Sequence, residues 1–312
     1  MYFEESNPRD VPMDVVLGAL RRIFPGIRES EVRFHYHGTY NVFEVRGEYI
    51  FRFPDRSLFN EEGYELIRRE AEVLEVLRPH IDLEIPRFEY FSDDPGTPFV
   101  GYWKIPGVSL SRCFGEADEG RLQEVAERLG GFLSGLHSEE AFRAFTDRWP
   151  SEFDMDVYRR HWEERYERIR KKVYSLLDPD QRDWIDALFT GFISDDDNFR
   201  FTPRVVHGDF DTSNVLVDPS SLEVTGVIDF EETGLWDPAA DLLFFREGEA
   251  FIEGILSSYS QALGPNIEER RRFLYRRGPL IYMLTGVELE RPELINAGLR
   301  MLKYQMRSTS SL

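Results

Sequence analysis

The residues of this sequence best spaced to act at a single point are Asp209, Asn214 and Asp229. They lie in segment 207–230, which reads HGDFDTSNVLVDPSSLEVTGVIDF. Asn214 follows Asp209 by five positions and leads into the apolar run Val215-Leu216-Val217. Asp229 ends the next apolar run, Gly226-Val227-Ile228. An antiparallel hairpin of these two runs brings Asn214 and Asp229 side by side. An amide oxygen and a carboxylate oxygen at one point suit a hard cation such as Mg²⁺. Asp209 then stands at the same mouth, suited to take a proton from a hydroxyl and aim it at a phosphoryl group. Taken singly, a His-Gly-Asp turn or an Asp after a strand is ordinary. The combined string, with two strands between its polar members, is specific.

The elements that must hold these residues divide the chain in two. An amphipathic helix fits residues 13–24 and stops at Pro25-Gly26. Short β-type runs follow at 32–36, 41–46 and 49–53, with a glycine-containing loop between the first two. Apolar residues at helical spacing, Ile67, Ala71, Leu74 and Leu77, mark a helix over 64–77. Two more strands fit 88–91 and 99–103, and Lys104-Ile105-Pro106-Gly107 reads as a linker. Beyond it the pattern is helical, over 122–136, 158–173 and 184–192, with aromatic stripes that read as core. A β island around 205–228 interrupts the helices. They resume at Asp237-Pro238 and fill 266–306.

Composition narrows the partners. The chain has 312 residues, 58 acidic against 38 basic, for a net charge of −20. That disfavours nucleic acid or an anionic membrane surface and suits a cationic ligand. The arginines at 270–272, 276 and 277 are expected to decorate one helix and pair with acids. A single cysteine, Cys113, precludes a disulfide framework or a cysteine metal site within one chain. The first residues lack the basic and apolar regions of a signal peptide, and no apolar run approaches the ~20 residues of a membrane span. A cytoplasmic protein is expected.

The motif HGDxxxxN followed by IDF resembles the aminoglycoside phosphotransferase family, whose fold is protein-kinase-like. The resemblance covers most of the chain. It implies an α+β bilobal fold with a small antiparallel β N-lobe carrying one main helix, and a larger, mostly helical C-lobe. The lobes are expected at 1–106 and 107–312, with the linker at about 103–107. By resemblance, Asp209 is the catalytic base, Asn214 and Asp229 hold Mg²⁺, and His207 braces the loop. Asp237 and Asp241, in DPAAD, cap the following helix and support the loop backbone.

The resemblance also implies a nucleotide site. Arg52 stands where relatives carry a strand lysine that steadies the α/β-phosphates, and Glu70 is its helix partner. Arginine is larger, flatter and bidentate, so the exchange is a departure. The loop at Gly38 and Thr39 covers the phosphates. The purine meets the Trp103 carbonyl and the Ile105 amide. Tyr102 takes the position guarding the back of the purine pocket, where its bulk favours GTP over ATP as donor.

For the acceptor, the strings FRFP and PFVGYWKIPG look most like aminoglycoside 2''-phosphotransferases. The candidates for recognising its amines are Asp211, Glu231, Glu232, Glu247 and Glu249. The wider family also includes kinases of macrolides, choline, homoserine and fructosamines. From another class, a nucleotide-binding pseudokinase module is the alternative, favoured only by Arg52.

Overall fold

The run Tyr49-Ile50-Phe51-Arg52-Phe53 has no polar face in the usual strand sense, and the structure gives the reason. The structure, a computed structural model, describes residues 8–308; residues 1–7, part of the segment read for a leader, lie outside it. Helix α1 (Met13–Ile23) precedes strands β1 (Val32–His37), β2 (Tyr40–Val45) and β3 (Tyr49–Pro54). Helix α2 (Glu61–Leu77), β4 (Phe88–Phe91) and β5 (Val100–Trp103) follow. These strands form one antiparallel sheet in the order β1-β2-β3-β5-β4. All six residues of β3 are buried because both faces of the sheet are covered. Side chains alternate along a strand. Phe51 and Phe53 join Phe43, Val45 and Phe99 in a core shared with Val16 and Leu20 of α1. Arg52 points the other way, toward α2 and the cleft. Gly101 is required on the α1 side, since a Cβ there would meet the Phe51 ring at 2.4 Å.

Helix α2 ties the two halves together. Asn60 caps it by accepting from the Gly63 amide at 3.2 Å. Its Ile67 packs with Tyr40 and Val100 of the sheet, while Val73, Leu74 and Leu77 enter the core of the helical half. Glu70, between these contacts, is thereby held against β3.

The segment read as a linker continues into a short strand, β6 (Val108–Ser109), and a short helix α3 (Leu110–Cys113). Helices α4 (Glu119–Leu136), α5 (Glu139–Arg148), α6 (Met155–Lys172) and α7 (Pro179–Ser194) come next. Asp118, Asp154 and Asp178 cap α4, α6 and α7. Strands β7 (Arg204–Val206), β8 (Val215–Val217), β9 (Val224–Val227) and β10 (Gly234–Trp236) make two small sheets, not one island. β6-β8-β9 is one and β7-β10 the other. The helix expected at Asp237 is a 3-10 turn, Pro238–Asp241; the first full helix beyond it is α8 (Glu249–Ser258). The C-terminal stretch splits into α9 (Ile267–Arg276), α10 (Gly278–Glu288) and α11 (Pro292–Ser308). The aromatic stripes are core: Tyr158, Trp162, Phe189 and Phe192 are buried with Phe273 and Leu302. Among the described residues no helix is long and apolar enough to cross a membrane.

Candidate active site

The loop after β7 is clamped by one buried carboxylate. Asp241 accepts from the His207 amide at 2.6 Å and from the Gly208 amide at 3.0 Å. It also lies 3.1 Å from His137 Nε2, whose Nδ1 is 2.8 Å from the Tyr259 hydroxyl. Asp241, His137 and His207 are fully buried. The His207 ring completes the brace. Its Nε2 is 3.0 Å from the Ile228 carbonyl, and its Nδ1 accepts from the Asp209 amide at 3.3 Å. A carbonyl only accepts, so the ring proton sits on Nε2. Gly208 turns the chain at φ 89°, and a Cβ there would meet the Glu232 carbonyl at 2.6 Å.

That loop presents Asp209 to the cleft. The Asn214 side-chain nitrogen donates to the Asp209 carbonyl at 2.8 Å and to its carboxylate at 3.3 Å. With its nitrogen committed, the Asn214 amide turns Oδ1 the other way, where it accepts no hydrogen bond among the described residues. β8 pairs with β9, and the Ile228 amide donates to the Asn214 carbonyl at 3.0 Å, which sets Asp229 beside Asn214. Asp229 adopts φ 73°, an uncommon conformation outside glycine that re-aims its carboxyl as the strand ends. One amide oxygen and one carboxylate converging here fit a hard divalent cation. Asp209 itself is open to solvent. Loss of surrounding water, and then the charges of Asp211 and Asp229, push its pKa up to about 7, against the Asn214 hydrogen bond.

On the other side of the cleft Arg52 gathers the acids. Its Nη1 donates to Glu70 at 2.7 Å, and its Nη2 lies 3.3 Å from Asp229 and 3.6 Å from Glu231. The guanidinium lies over the Tyr40 ring at 4.1 Å. Both Arg52 and Glu70 are buried. The Phe230 amide is near enough to favour the Glu70 carboxylate without meeting hydrogen-bond geometry to Oε2. Burial, and then the Asp229 charge, push Glu231 up to about 8, and the nearby Thr39 hydroxyl opposes the rise. The loop at Gly38 and Thr39 thus reaches across the cleft. Tyr102 is buried opposite Ile50, on the same sheet face as Arg52, with its ring 5.4 Å from Phe88. Burial raises its hydroxyl pKa. Trp103 is 51% exposed and packs on Tyr49 at 4.3 Å. The Lys104 amide donates to the Glu48 carbonyl, whereas the Ile105 amide makes no hydrogen bond among the described residues.

The five acids read as amine ligands separate into three groups. Asp211 and Glu232 are close enough to act on the Asp209 charge, and Asp211 acts on Glu247. Asp211 is also engaged locally, accepting from the Ser213 amide at 2.7 Å, and Glu247 faces the Thr212 hydroxyl at 3.3 Å. Glu231 belongs with Arg52 and Thr39. Glu249 is exposed at the start of α8, and among the described residues no contact ties it to the others.

Sequence reasoning missed His137 and the partner of Asp237, and it read Tyr40 only as part of the loop over the phosphates, not as the ring beneath Arg52. Asp237 accepts from the Ala239 amide and from Arg270 Nε, both at 2.9 Å, and Asp237 and Arg270 are fully buried. Of the arginines expected on a helix surface, Arg271 and Arg272 do pair with Glu268 and Glu269, but Arg270 and Arg271 are interior. Nothing local marks these partners, because they arrive from distant segments.

The profile of the phosphotransferase enzyme family (APH) matches residues 31–274. An aminoglycoside 3'-phosphotransferase from Streptomyces fradiae is 28% identical over 223 residues, 67% of this chain and 75% of that protein. The GDP complex of aminoglycoside 2'-phosphotransferase-IIIa superposes with a TM-score of 0.80 at 23% identity, covering 94% of this chain and 98% of the other. A macrolide 2'-phosphotransferase from Brachybacterium faecium superposes at 0.72 and 19% identity, covering 91% and 96%. These neighbours share the bilobal protein-kinase-like architecture seen here. The profile match spans both lobes and the whole segment from Asp209 to Asp229, so the chain belongs to the phosphotransferase enzyme family, as a small-molecule kinase.

Proposed function

We propose that this chain moves the γ-phosphoryl group of a nucleoside triphosphate to a hydroxyl of a polycationic antibiotic, an aminoglycoside, in the cytoplasm. The observation that carries the reading is the convergence of Asp209, Asn214 and Asp229 beside a second set of acids, Asp211, Glu232 and Glu247. In this reading Asp209 accepts a hydrogen bond from the acceptor hydroxyl and aims its oxygen at the phosphorus. The outer acids meet ammonium groups of the acceptor, an attraction that a macrolide or choline, each with a single positive charge, exploits less. Residues 1–106 serve as the nucleotide lobe and 107–312 as the catalytic and acceptor lobe.

The nucleotide lies between them. Its purine reaches the Trp103 carbonyl and the unengaged Ile105 amide, and the amides around Gly38 and Thr39 cover its phosphates. Asn214 Oδ1 and Asp229 would hold Mg²⁺, which when bound neutralises charge on the phosphates. Arg52, held by Glu70, replaces the strand lysine and lends its charge to the α/β-phosphates. Removing it takes away that charge and leaves Glu70 buried without a counter-ion. Arg52→Ala should therefore lower kcat/KM for the nucleotide by roughly 10², with Arg52→Lys recovering part of the loss. Unchanged nucleotide kinetics in Arg52→Ala would remove the phosphate-binding role given to Arg52, whereas absence of any Mg²⁺-dependent transfer or hydrolysis by the wild type would favour the pseudokinase reading.

A donor and acceptor panel tests the assignment. ATP and GTP are each offered with kanamycin, gentamicin, viomycin, a macrolide and choline. Phosphorylation of an aminoglycoside, with GTP preferred, is the expected result, since the bulk of Tyr102 crowds the exocyclic amine of adenine. An ATP preference of tenfold or more would remove the role given to Tyr102. A macrolide or choline as the best acceptor would move the function to the other small-molecule kinases.

A further inference from the structure

We propose that Asp10, His37 and Asp55 form a binding site for a divalent transition-metal ion of the zinc class, outside the catalytic cleft. One ligand atom from each of the three lies within 4.8 Å of the others. They come from three places: the segment before α1, the last residue of β1, and the residue after β3.

The hydrogen bonds around His37 point to a cation. Its Nδ1 is 2.7 Å from the Pro8 carbonyl. A carbonyl only accepts, so Nδ1 carries a proton and Nε2 is the ligating nitrogen. Nε2 faces two carboxylates, Asp55 Oδ1 at 2.6 Å and Asp10 Oδ1 at 3.8 Å. Both carboxylates and Nε2 converge on one point that suits a cation. A proton on Nε2 satisfies Asp55 and leaves Asp10 beyond hydrogen-bond range of that nitrogen. A metal ion serves both.

The outer contacts have the form found around metal sites, where a ligating imidazole donates its other N–H to a carbonyl and the carboxylates are themselves hydrogen-bonded. Asp10 Oδ1 accepts from Asn41 Nδ2 at 2.6 Å, and Asp10 Oδ2 accepts from the Arg56 amide at 2.9 Å. Asn41 is fully buried, and its Oδ1 in turn accepts from the Asp10 amide at 3.1 Å. Zinc bonds of ~2.0–2.2 Å set tetrahedral ligands roughly 3.3 Å apart. The two observed separations straddle that value. Asp10 and Asp55 are 36% and 43% exposed, so both are free to adjust and a water has room for the fourth position. One imidazole with two carboxylates suits zinc better than magnesium, which keeps oxygen ligands in an octahedron.

Such an ion would pin the residue that precedes Gly38 and Thr39 to the end of the strand that carries Arg52. It would therefore stiffen the loop over the cleft without touching the reacting groups.

The test is calorimetric titration of the chelator-stripped full chain with Zn²⁺. Millimolar Mg²⁺ is kept in the buffer so that the cleft acids are not the sites read. One equivalent binding at micromolar affinity or tighter is expected, with a rise in melting temperature. Each of His37→Ala, Asp10→Asn and Asp55→Asn should weaken it at least ~10-fold. The two asparagine variants keep hydrogen-bonding side chains in place if the alanine variant does not fold. No stoichiometric zinc binding, or equal binding by the asparagine variants, would overturn the proposal and leave His37 and Asp55 as an ion pair.

Discussion

Asp209→Asn should lower kcat by ~10²–10⁴ while nucleotide affinity and the fold stay as they are. The side chain keeps its size, and its oxygen still accepts from Asn214 Nδ2. Asp209 is solvent-accessible, so no buried partner is orphaned. What is lost is the group that takes the acceptor's proton. The remaining rate comes from positioning and charge neutralisation, which the amide leaves in place. The pH profile gives an independent reading. A base must be ionised to work, and the carboxyl is raised to about 7 by its surroundings and by Asp211 and Asp229. Wild-type kcat/KM should accordingly fall as pH is lowered through that region, and the asparagine variant should lose the inflection. A variant with near-wild-type turnover would show that another group is the base.

Arg270→Met should cost about 3–5 kcal/mol of folding stability, read from urea unfolding. The guanidinium donates to Asp237 at 2.9 Å and to the Leu263 carbonyl at 2.6 Å, with Pro265 as a third acceptor, and the residue has no solvent exposure. Methionine fills the volume but leaves the Asp237 charge buried and unpaired. Burial already pushes Asp237 upward and Arg270 opposes it, so the carboxyl in the variant must protonate or destabilise the fold. The double variant Asp237→Asn with Arg270→Met should recover most of the loss, because no lone charge remains. A loss below ~1 kcal/mol for the single change would mean that water reaches the pair.

The effect should extend to activity. Asp237 caps the 3-10 turn that ends in Asp241, and Asp241 holds the backbone of His207 and Gly208. The buried arginine therefore supports the loop that presents Asp209.

How far the sequence reached depends on how far apart the partners lie. Asp209, Asn214 and Asp229 could be grouped because they flank two apolar runs about a hairpin's length apart, and the β-type residues at 49–53 were enough to place Arg52 on a strand. Helical spacing placed Glu70 on a helix, but only the family resemblance named it as the partner of Arg52. The reach of Arg52 to Asp229 spans 177 positions, and that of His137 to Asp241 spans 104. Neither leaves a local pattern. Arg270 looked like one more charge on a polar helix, because its burial is imposed by Asp237 and two carbonyls from other segments. The short strands β6 and β10 were missed for a related reason. Two or three residues carry no periodicity, and they become strands only by pairing with β8 and β7.

Mass spectrometry of the acceptor tests the central claim most directly. Wild-type protein with Mg²⁺, GTP or ATP and an aminoglycoside should yield an acceptor heavier by one phosphoryl group, and Asp209→Asn should yield almost none in the same time. Nucleotide binding without any phosphorylated acceptor across the panel, or equal product from the two proteins, would contradict the account.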